Sequence, residues 1–427
     1  MRVAIIGYGI LGMLAADLLD DPGIEIHIFD LDFQNSGSTF FQEPLGPKSL
    51  RHPMSSPQGS PGNLDFWGLA ISCFIQNPSK WPTRFIKSLK YYRRLLSRYG
   101  FSKMPMQTHN RGEVSLRISY ANIHKFKSQV FLSQKKSERY RHENLVHSIC
   151  QKDNMVLVKT FNRMNSPETH VFDHVLICAG PIKSFDLVST SGLIPKFETV
   201  AMNDHPTFWL GEIHVKDSVL VKSRFRNRTV LHGKKPGAIV TSLPNGIVIT
   251  IRIRPKIFSN IISLSASSKE LLLKKMWLTT LDRLGFIFCK KFSVAVSLDY
   301  KSHEILASLS ESGMVQEFMY ASSTPQLSLE VMKQAESTIF KAFGNFQKNW
   351  ERDSIFEETA AAHYASLLGM LADSTNSSVL EDFHLRQFPR ISVPGSVSFP
   401  EAVVGHPTYL ALCTVIFEVE RIKSMMN

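Results

Sequence analysis

The sequence predicts an α/β protein in which a parallel sheet covered by helices is accompanied by a second, mainly antiparallel sheet with helices of its own. Three observations support this prediction. The chain begins with a strand, a glycine-rich turn, a helix and another strand within residues 1–30. A second short buried strand occurs near residues 171–177, and residues 211–340 differ in composition and are rich in strand-like segments.

The first thirty residues form one complete strand–helix–strand unit. Arg2–Ile6 is a short run of β-branched and apolar residues, which suits a buried strand of a parallel sheet. Met13–Leu19 has helical composition, Asp20–Gly23 ends that helix, and Ile24–Phe29 is predicted to be the second strand. This alternation is typical of a Rossmann-like domain.

Glycines and an acid occupy the positions at which such a unit binds a dinucleotide. Gly7 permits the tight turn after the strand, Gly9 lets the backbone approach a pyrophosphate, and Gly12 lets the helix pack on the strand. The helix N-terminus offers free N–H groups and a positive dipole end to phosphates. Asp30 ends the second strand, where an acid accepts hydrogen bonds from a ribose hydroxyl. The predicted cofactor-binding residues of this unit are Gly7, Gly9, Ile10, Leu11, Gly12 and Asp30. The pattern alone does not separate FAD from NAD.

Length and composition favour an ordinary globular protein with room for two domains. Five cysteines are scattered without the paired spacing of a metal site or a disulfide framework, so we expect no metal and a reducing, cytoplasmic setting. No apolar run approaches the length of a membrane span, and because a predicted core strand begins at residue 2, we expect no signal peptide.

The formal net charge of +12 is compatible with an anionic substrate, a nucleic acid or an acidic membrane surface. The densest basic stretch is residues 87–98, in which Leu89, Tyr92, Leu95 and Leu96 recur at helical spacing. We interpret this stretch as an amphipathic helix with a solvated charged face. Because no recognition motif for nucleic acid is present, we expect no nucleic-acid partner.

The next segments of the chain mix helices and strands. Leu69–Gln76 and Trp81–Tyr99 are predicted to be helical, and Leu145–Cys150 with Met155–Phe161 to be a hairpin. The stretch Val171–Pro181 is predicted to contain a buried strand that ends in Ala179-Gly180. Small residues at this point allow a second strand edge to meet a bound FAD, so Ala179 and Gly180 join the candidate cofactor site.

Residues 211–340 are predicted to form a separate substrate domain, inserted between two parts of an FAD-binding domain at residues 1–210 and 341–427. Its clearest feature is a hairpin of Ala238–Ser242 and Ile247–Arg254 across the turn Pro244-Asn245-Gly246. The other predicted elements are strands at Val219–Val221, Thr229–Leu231 and Phe292–Leu298 and a helix at Ser268–Leu284.

The last seventy residues carry a resemblance to a known family. Four segments follow one another in this order: Ala361–Met370, Val379–Arg386, Ile391–Pro400 and Val404–Leu412. They resemble the C-terminal part of the glucose–methanol–choline family of FAD-dependent oxidoreductases, in which a histidine precedes a strand with a small-residue turn, and a His/Asn-Pro-Thr segment then starts a long helix. Met202–Pro206 is similar to another segment of that family, with one residue missing.

The chain also departs from the family pattern. Asp30 stands where the family usually has Glu, and Pro394-Gly395 replaces the acidic residue before the small turn near the flavin. The Gly-Thr that follows the first family histidine is absent, and Leu367-Leu368-Gly369 stands nearby instead.

The resemblance implies an FAD-dependent oxidoreductase that oxidises an alcohol or sugar hydroxyl by hydride transfer to flavin N5. A neutral histidine takes the hydroxyl proton, and a second one orients the substrate and stabilises developing alkoxide charge. His406 is the expected base and His363 its partner, with the reverse order left open. The resemblance places Gly395, Pro407 and Thr408 at the flavin, with the helix N-terminus facing its pyrimidine end.

The expected partners are a small alcohol or carbohydrate substrate and an electron acceptor that the sequence does not identify. Two alternatives remain. The first is a flavin amine or amino-acid oxidase, or a hydroxylase, which shares the N-terminal unit and lacks the C-terminal histidines. The second is a catalytically inactive flavoprotein relative. His205 and His384 are interpreted as structural.

Overall fold

The structure is a computed structural model of the 427-residue chain. It describes residues 1–30, 70–75, 78–99, 101–103, 118–121, 138–162, 164–203, 207–215, 238–242, 248–255, 291–299, 304–319, 325–343, 346–350, 365–371, 377–401, 403–405 and 408–426.

The described elements are mixed α/β. The strands are β1 (Arg2–Ile6), β2 (Glu25–Phe29), β3 (Ala70–Phe74), β4 (Phe101–Lys103), β5 (Ile118–Ala121), β6 (Glu138–His142), β7 (Leu145–Lys152), β8 (Met155–Phe161), β9 (Pro167–Phe172), β10 (His174–Ile177), β11 (Thr199–Asn203), β12 (Thr207–Val215), β13 (Ala238–Ser242), β14 (Val248–Pro255), β15 (Lys291–Asp299), β16 (Glu304–Leu309), β17 (Val315–Met319), β18 (Phe346–Trp350), β19 (Leu380–Glu381), β20 (His384–Leu385), β21 (Phe388–Ser392) and β22 (Val404–Gly405). The helices are α1 (Ile10–Leu18), α2 (Thr83–Arg98), α3 (Pro181–Thr190), α4 (Pro325–Phe343) and α5 (Thr408–Ser424).

A seven-stranded sheet organises the fold, with the order β19-β20-β21-β10-β1-β2-β6. The five strands from β21 to β6 run parallel, and β20 and β19 are added antiparallel at one end. Because the five strands are parallel, their carboxyl ends share one edge of the sheet, which is where α/β proteins place ligands.

Alternation along β1 divides its side chains between two hydrophobic clusters. Val3 and Ile5 face the cluster formed with α1, α2 and α5, whereas Ala4 and Ile6 face the cluster formed with α3, β8 and β11. All four side chains are 5% exposed or less. The parallel sheet is therefore buried on both faces, as the apolar run at the start of the sequence predicts.

Among the described residues, four antiparallel sheets accompany the parallel one. The largest has the order β13-β14-β15-β12-β18, and a four-stranded sheet has the order β22-β3-β5-β4. Two three-stranded sheets are formed by β7-β8-β9 and by β11-β16-β17. The division of the chain into a discontinuous FAD-binding domain and an inserted substrate domain stays a prediction.

Several predicted elements are confirmed, and two are wrong. The hairpin of β7 and β8 and the pairing of β13 with β14 are confirmed. Leu69–Gln76, predicted to be helical, contains strand β3, because β5 and β22 pair with it on either side and override a weak local preference. The segment 171–177 is not one strand. It divides at Asp173, whose carboxylate accepts the Arg2 N–H at 2.6 Å, so that β9 and β10 enter different sheets.

Other predictions lie outside the described residues. These are the strands at Val219–Val221 and Thr229–Leu231, the helix at Ser268–Leu284 and the turn Pro244-Asn245-Gly246. Within the described part of the chain, no helix combines the length and the apolar character needed to cross a bilayer.

Candidate functional site

The glycine-rich turn lies at the carboxyl end of β1 and leads directly into α1. The helix begins at Ile10, earlier than the composition of Met13–Leu19 indicates, and Gly9 is its N-cap. Gly9 has an extended backbone (φ −70°, ψ −168°), makes no side-chain cap, and no acidic residue occupies the first turn. The first N–H groups of α1 are therefore left without a capping side chain, which favours an anion such as a phosphate.

Two glycines of the turn serve the fold. Gly7 has φ +91°, and a Cβ atom there would lie 2.7 Å from the carbonyl oxygen of Cys178 at the end of β10. A Cβ atom on Gly12 would lie 2.0 Å from the carbonyl oxygen of Gly7. Only glycine fits at these positions, because the turn, α1 and β10 are in direct contact.

Two other glycines border open space. A Cβ atom built on Gly9 or on Gly180 would have no neighbour within 4 Å among the described residues. Gly180 is the N-cap of α3 and directly follows Ala179 at the carboxyl end of β10. The glycines that the sequence assigns to backbone–cofactor contact therefore border a space that the described residues leave unfilled, as a phosphate-binding cradle requires.

Asp30 has a role in this turn that the sequence did not reveal. Its Oδ2 accepts the backbone N–H of Tyr8 at 2.6 Å, and its own N–H donates to the carbonyl of His142 at 3.1 Å. The carboxylate therefore fixes the glycine-rich turn to the ends of β2 and β6. The Tyr8 side chain is buried, which raises the pKa of its hydroxyl, and the Arg141 guanidinium lies 5.9 Å from its ring centre.

Gly395 links the end of β21 to the two helices at this edge. It has φ +120°, and a Cβ atom there would lie 3.0 Å from Leu11 Cδ1 on α1. Its N–H donates to Thr414 Oγ1 of α5 at 2.8 Å. Thr408, the first residue of α5, is buried, and no acidic residue lies in the first turn. The structure thus places Gly395 beside α1 and fastens it to α5.

The two predicted catalytic histidines, His363 and His406, lie outside the described residues, as does Pro407. Described residues lie close to each histidine in the sequence, and those that follow His363 are held by backbone hydrogen bonds. Ala365 exchanges two backbone hydrogen bonds with Asn203, at 3.0 and 2.9 Å. Ser366 donates its N–H to Ser396 at 2.8 Å and its hydroxyl to the Glu401 carbonyl at 3.1 Å.

The second histidine is flanked by fixed elements on both sides. Gly405 pairs with Cys73 in the sheet of β22 and β3, and α5 begins at Thr408. Ser366, which is fully buried, has φ +69°, a strained conformation for a residue other than glycine. Ser366 lies in the segment Ala361–Met370, but no sequence pattern assigns a role to it or to Thr414, so only the structure identifies them as supports of this region.

Among the described residues, no group of three or more histidine, cysteine, aspartate or glutamate side chains has a geometry that could hold a metal ion. No protein-family model matches the chain, and no curated protein matches it by sequence. Solved structures, in contrast, are similar to this chain. Pyridoxine 4-oxidase from Mesorbium loti is similar over 98% of both chains, with a TM-score of 0.57 and 11% identity.

Formate oxidase is similar over 99% of this chain and 98% of its own, with a TM-score of 0.55 and 10% identity. The same values hold for a variant of the formate oxidase of Aspergillus oryzae RIB40 that was used to follow FAD modification. Both neighbours are oxidases of the glucose–methanol–choline group. The chain therefore has the fold of the glucose–methanol–choline oxidoreductases, as the resemblance of its C-terminal segments predicted.

Proposed function

We propose that the chain is an FAD-dependent oxidoreductase that oxidises an alcohol or sugar hydroxyl. The observation that carries this proposal is the open cradle at the carboxyl edge of the parallel sheet. It is bordered by Gly9 and Gly180 and flanked by the uncapped N-terminus of α1. An anionic pyrophosphate satisfies the helix N–H groups and fills the space that these glycines leave.

The residues present fit FAD. The backbone of Gly7–Gly12 and of Ala179-Gly180 would hold the pyrophosphate, and Asp30 would receive the ribose hydroxyls at the end of β2. Gly395 and the N-terminus of α5 at Thr408 would face the flavin ring, where a helix N-terminus favours negative charge. Bound FAD supplies an acceptor for hydride from the substrate carbon.

The chain itself supplies the groups that bind the substrate and move its proton. In the proposal, His406 takes the hydroxyl proton and His363 donates a hydrogen bond to the substrate oxygen. Ser366, three residues after His363 in the sequence, is bonded to the loop at 396–401, and His406 follows that loop by five residues; this proximity in the chain supports the pairing. Residues 1–210 and 341–427 would bind the cofactor, and residues 211–340 would cover the substrate.

The two solved neighbours are named for different substrates, pyridoxine and formate. The shared fold therefore does not identify the substrate class. The prediction of a hydroxyl substrate is based on the C-terminal histidine motifs. The scattered cysteines support a cytoplasmic location as part of the same proposal.

The first experiment is an absorbance spectrum of the purified protein, before and after anaerobic addition of a panel of alcohols and sugars. We expect flavin bands that one of these classes bleaches. Bands that bleach only with amines or amino acids would replace the hydroxyl substrate with the alternative oxidase. A protein that stays colourless after incubation with FAD would contradict the cofactor assignment.

A matched pair of glycine variants tests the cradle itself. Gly9→Val places a side chain in open space, so we expect FAD binding to fall by a hundredfold or more while the melting temperature of the apoprotein stays the same. Gly12→Ala forces a Cβ atom onto the Gly7 carbonyl, so we expect a large loss of stability. Unchanged FAD affinity in a folded Gly9→Val protein would place the cofactor elsewhere.

The histidine roles need a separate test, because these residues are not described. His406→Ala is expected to lower kcat strongly without preventing FAD binding, and His363→Ala to lower it less. Flavin reduction by an alcohol at an undiminished rate in His406→Ala would show that another group removes the proton.

A further inference from the structure

Helix α2 presents an unusually one-sided charge distribution. Its sequence, TRFIKSLKYYRRLLSR, contains six basic residues and no acidic residue. Five of the basic side chains are exposed and form what we call the basic ridge: Arg84, Lys87, Lys90, Arg94 and Arg98. Arg93 is partly buried and is not included in the ridge.

The orientation of the ridge is fixed by the packing of the opposite face. Phe85 and Leu96 are 0% exposed and Tyr92 is 1% exposed. The Phe85 ring contacts the ring of Phe417 on α5 at 5.9 Å, and the Tyr92 hydroxyl donates to Glu420 of α5 at 3.2 Å. The apolar stripe is therefore occupied by the core, and the basic ridge is held outward along about 21 Å of helix.

The ridge charges are not neutralised by carboxylates of the described part of the chain. Among the described residues, no ion pair includes a ridge side chain. The one described contact of a ridge cation with a ring is that of Arg84, whose guanidinium carbon lies 5.9 Å from the centre of Phe417. The whole chain carries a formal charge of +12, which favours its attraction to anionic surfaces.

The shape and composition of the ridge distinguish between anionic partners. The large apolar side chain that it exposes is Tyr91, at 52%. A specific protein interface needs an apolar, well-packed centre, and a single-stranded nucleic acid needs a groove lined with stacking platforms. A convex helix face with one tyrosine offers neither. Clusters of four to eight lysines and arginines on an amphipathic helix are typical of binding to anionic lipid headgroups, and a tyrosine among them suits the headgroup level.

We propose that the basic ridge of α2 docks the protein on an anionic phospholipid surface. Because the apolar face of α2 is buried in the core, the helix contacts headgroups without inserting into the bilayer. Binding is then electrostatic, reversible and weakened by salt, and each ridge cation contributes about fivefold to the affinity. Surface docking is independent of the proposed oxidase activity, because the ridge lies on the outer face of α2 and the cradle lies at the sheet edge.

The test is sedimentation of the full-length protein with vesicles of phosphatidylcholine alone and of phosphatidylcholine mixed with phosphatidylserine. We expect binding to the mixed vesicles only, and its loss at high salt. Replacing Lys87, Lys90 and Arg94 by Glu is expected to lower the affinity by a hundredfold or more. The control replaces Lys152, Lys159 and Lys196 by Glu, which makes the same change of net charge at exposed positions elsewhere.

The two triple variants separate the effect of the ridge on vesicle binding from the effect of net charge. Equal losses of binding in both would overturn the proposal, as would equal binding to neutral vesicles. So would a ridge-dependent affinity for a polyanion such as nucleic acid or an acidic protein in the absence of vesicle binding. The milder Lys90→Gln and Arg94→Gln pair, expected to lose about 25-fold in affinity with an unchanged melting temperature, excludes misfolding as the cause.

Discussion

The two flanks of the parallel sheet bury polar side chains in opposite ways. Where α5 covers β10 and β21, the carboxylate of Glu418 is fully buried and accepts hydrogen bonds from Ser392 Oγ at 2.6 Å and Arg421 Nε at 2.9 Å. Beyond β2 and β6, the rings of His27 and His142 stack at 5.1 Å and share a 2.9 Å hydrogen bond. The first flank retains a charge, and the second retains neutral rings.

The shifts in pKa follow from these surroundings. Burial raises the pKa of Glu418, but the neighbouring His384, the charge of Arg421 and the Ser392 hydroxyl outweigh it, so the pKa is lowered overall. Burial lowers the pKa of His142 to about 4, and the neighbouring rings of His170 and His27 add to the effect. A buried group thus keeps its charge only where a partner of opposite charge is buried with it.

The largest effect is expected from Glu418→Ala. The substitution leaves the Arg421 guanidinium, whose Nη2 lies 2.8 Å from the lost carboxylate, without its counter-charge. Breaking a buried pair in this way costs about 3–5 kcal/mol. The free energy of unfolding, measured in urea, checks this value. Glu420→Ala, on the same helix and partly exposed, is the control and is expected to lose much less.

A smaller loss is expected from Ser392→Ala. Its hydroxyl donates to Glu418, accepts from Arg421 Nη2 at 2.9 Å and lies 2.9 Å from His174 Nε2. Removing a buried hydrogen bond to charged groups costs about 2–3 kcal/mol. In a Glu418→Ala background the network is already broken, so Ser392→Ala is expected to cost less stability in that background than in the wild type. Equal costs in both backgrounds would show that Ser392 and Glu418 are energetically independent.

The histidine flank is tested by measuring the free energy of unfolding as the pH is lowered. His142 has a folded-state pKa of about 4 against 6.5 unfolded, so the unfolded chain binds more protons between these values. Stability therefore falls as pH falls from 6.5 toward 4, by about 2 kcal/mol for this group after allowance for solvent access. His142→Phe, which preserves stacking on Phe29, is expected to remove this part of the slope in unfolding free energy against pH.

A residual slope is expected in that variant. Burial and the charge of Arg421 hold the pKa of His174 well below its usual value, and burial lowers that of His27. His147→Phe is the control, because His147 stacks on Phe161 away from the histidine flank. A full slope in His142→Phe, or an equal reduction in His147→Phe, would contradict the assignment.

The fold was predictable where local pattern and tertiary packing agree. In residues 1–30, the apolar runs and the spacing of the glycines both favour a strand, a tight turn, a helix and a second strand. Strand β3 was not predictable as such, because Ala70–Phe74 is a short apolar run whose helical and extended forms differ little in local energy. Pairing with β5 and β22, distant in sequence, decides the outcome.

The candidate site shows the same division. Gly9, Gly180 and Asp30 stand out in the sequence because their residue types and spacing match a dinucleotide-binding turn, and their roles toward a cofactor stay predictions. Thr414 and Ser366 do not stand out, since a hydroxyl that accepts one backbone N–H or braces one loop leaves no spacing pattern in the sequence. No sequence pattern links Glu418 with Ser392. Only the packing of α5 on β21 brings the two side chains together.

The smallest effect on stability is expected from an ion pair on α3, which separates the contribution of burial from that of helix spacing. Lys183 and Asp186 on α3 form an ion pair at 3.2 Å with the same three-residue spacing as Glu418 and Arg421. The Lys183 side chain is 69% exposed, however, whereas that of Glu418 is 0% exposed. The Asp186 side chain is only 10% exposed, but the Lys183 ammonium lies in water, where solvent and salt screen it, so the pair contributes about 0.5 kcal/mol or less. Lys183→Met is therefore expected to leave the free energy of unfolding almost unchanged. A loss as large as that of Glu418→Ala would show that helix spacing, and not burial, determines the energy of both pairs.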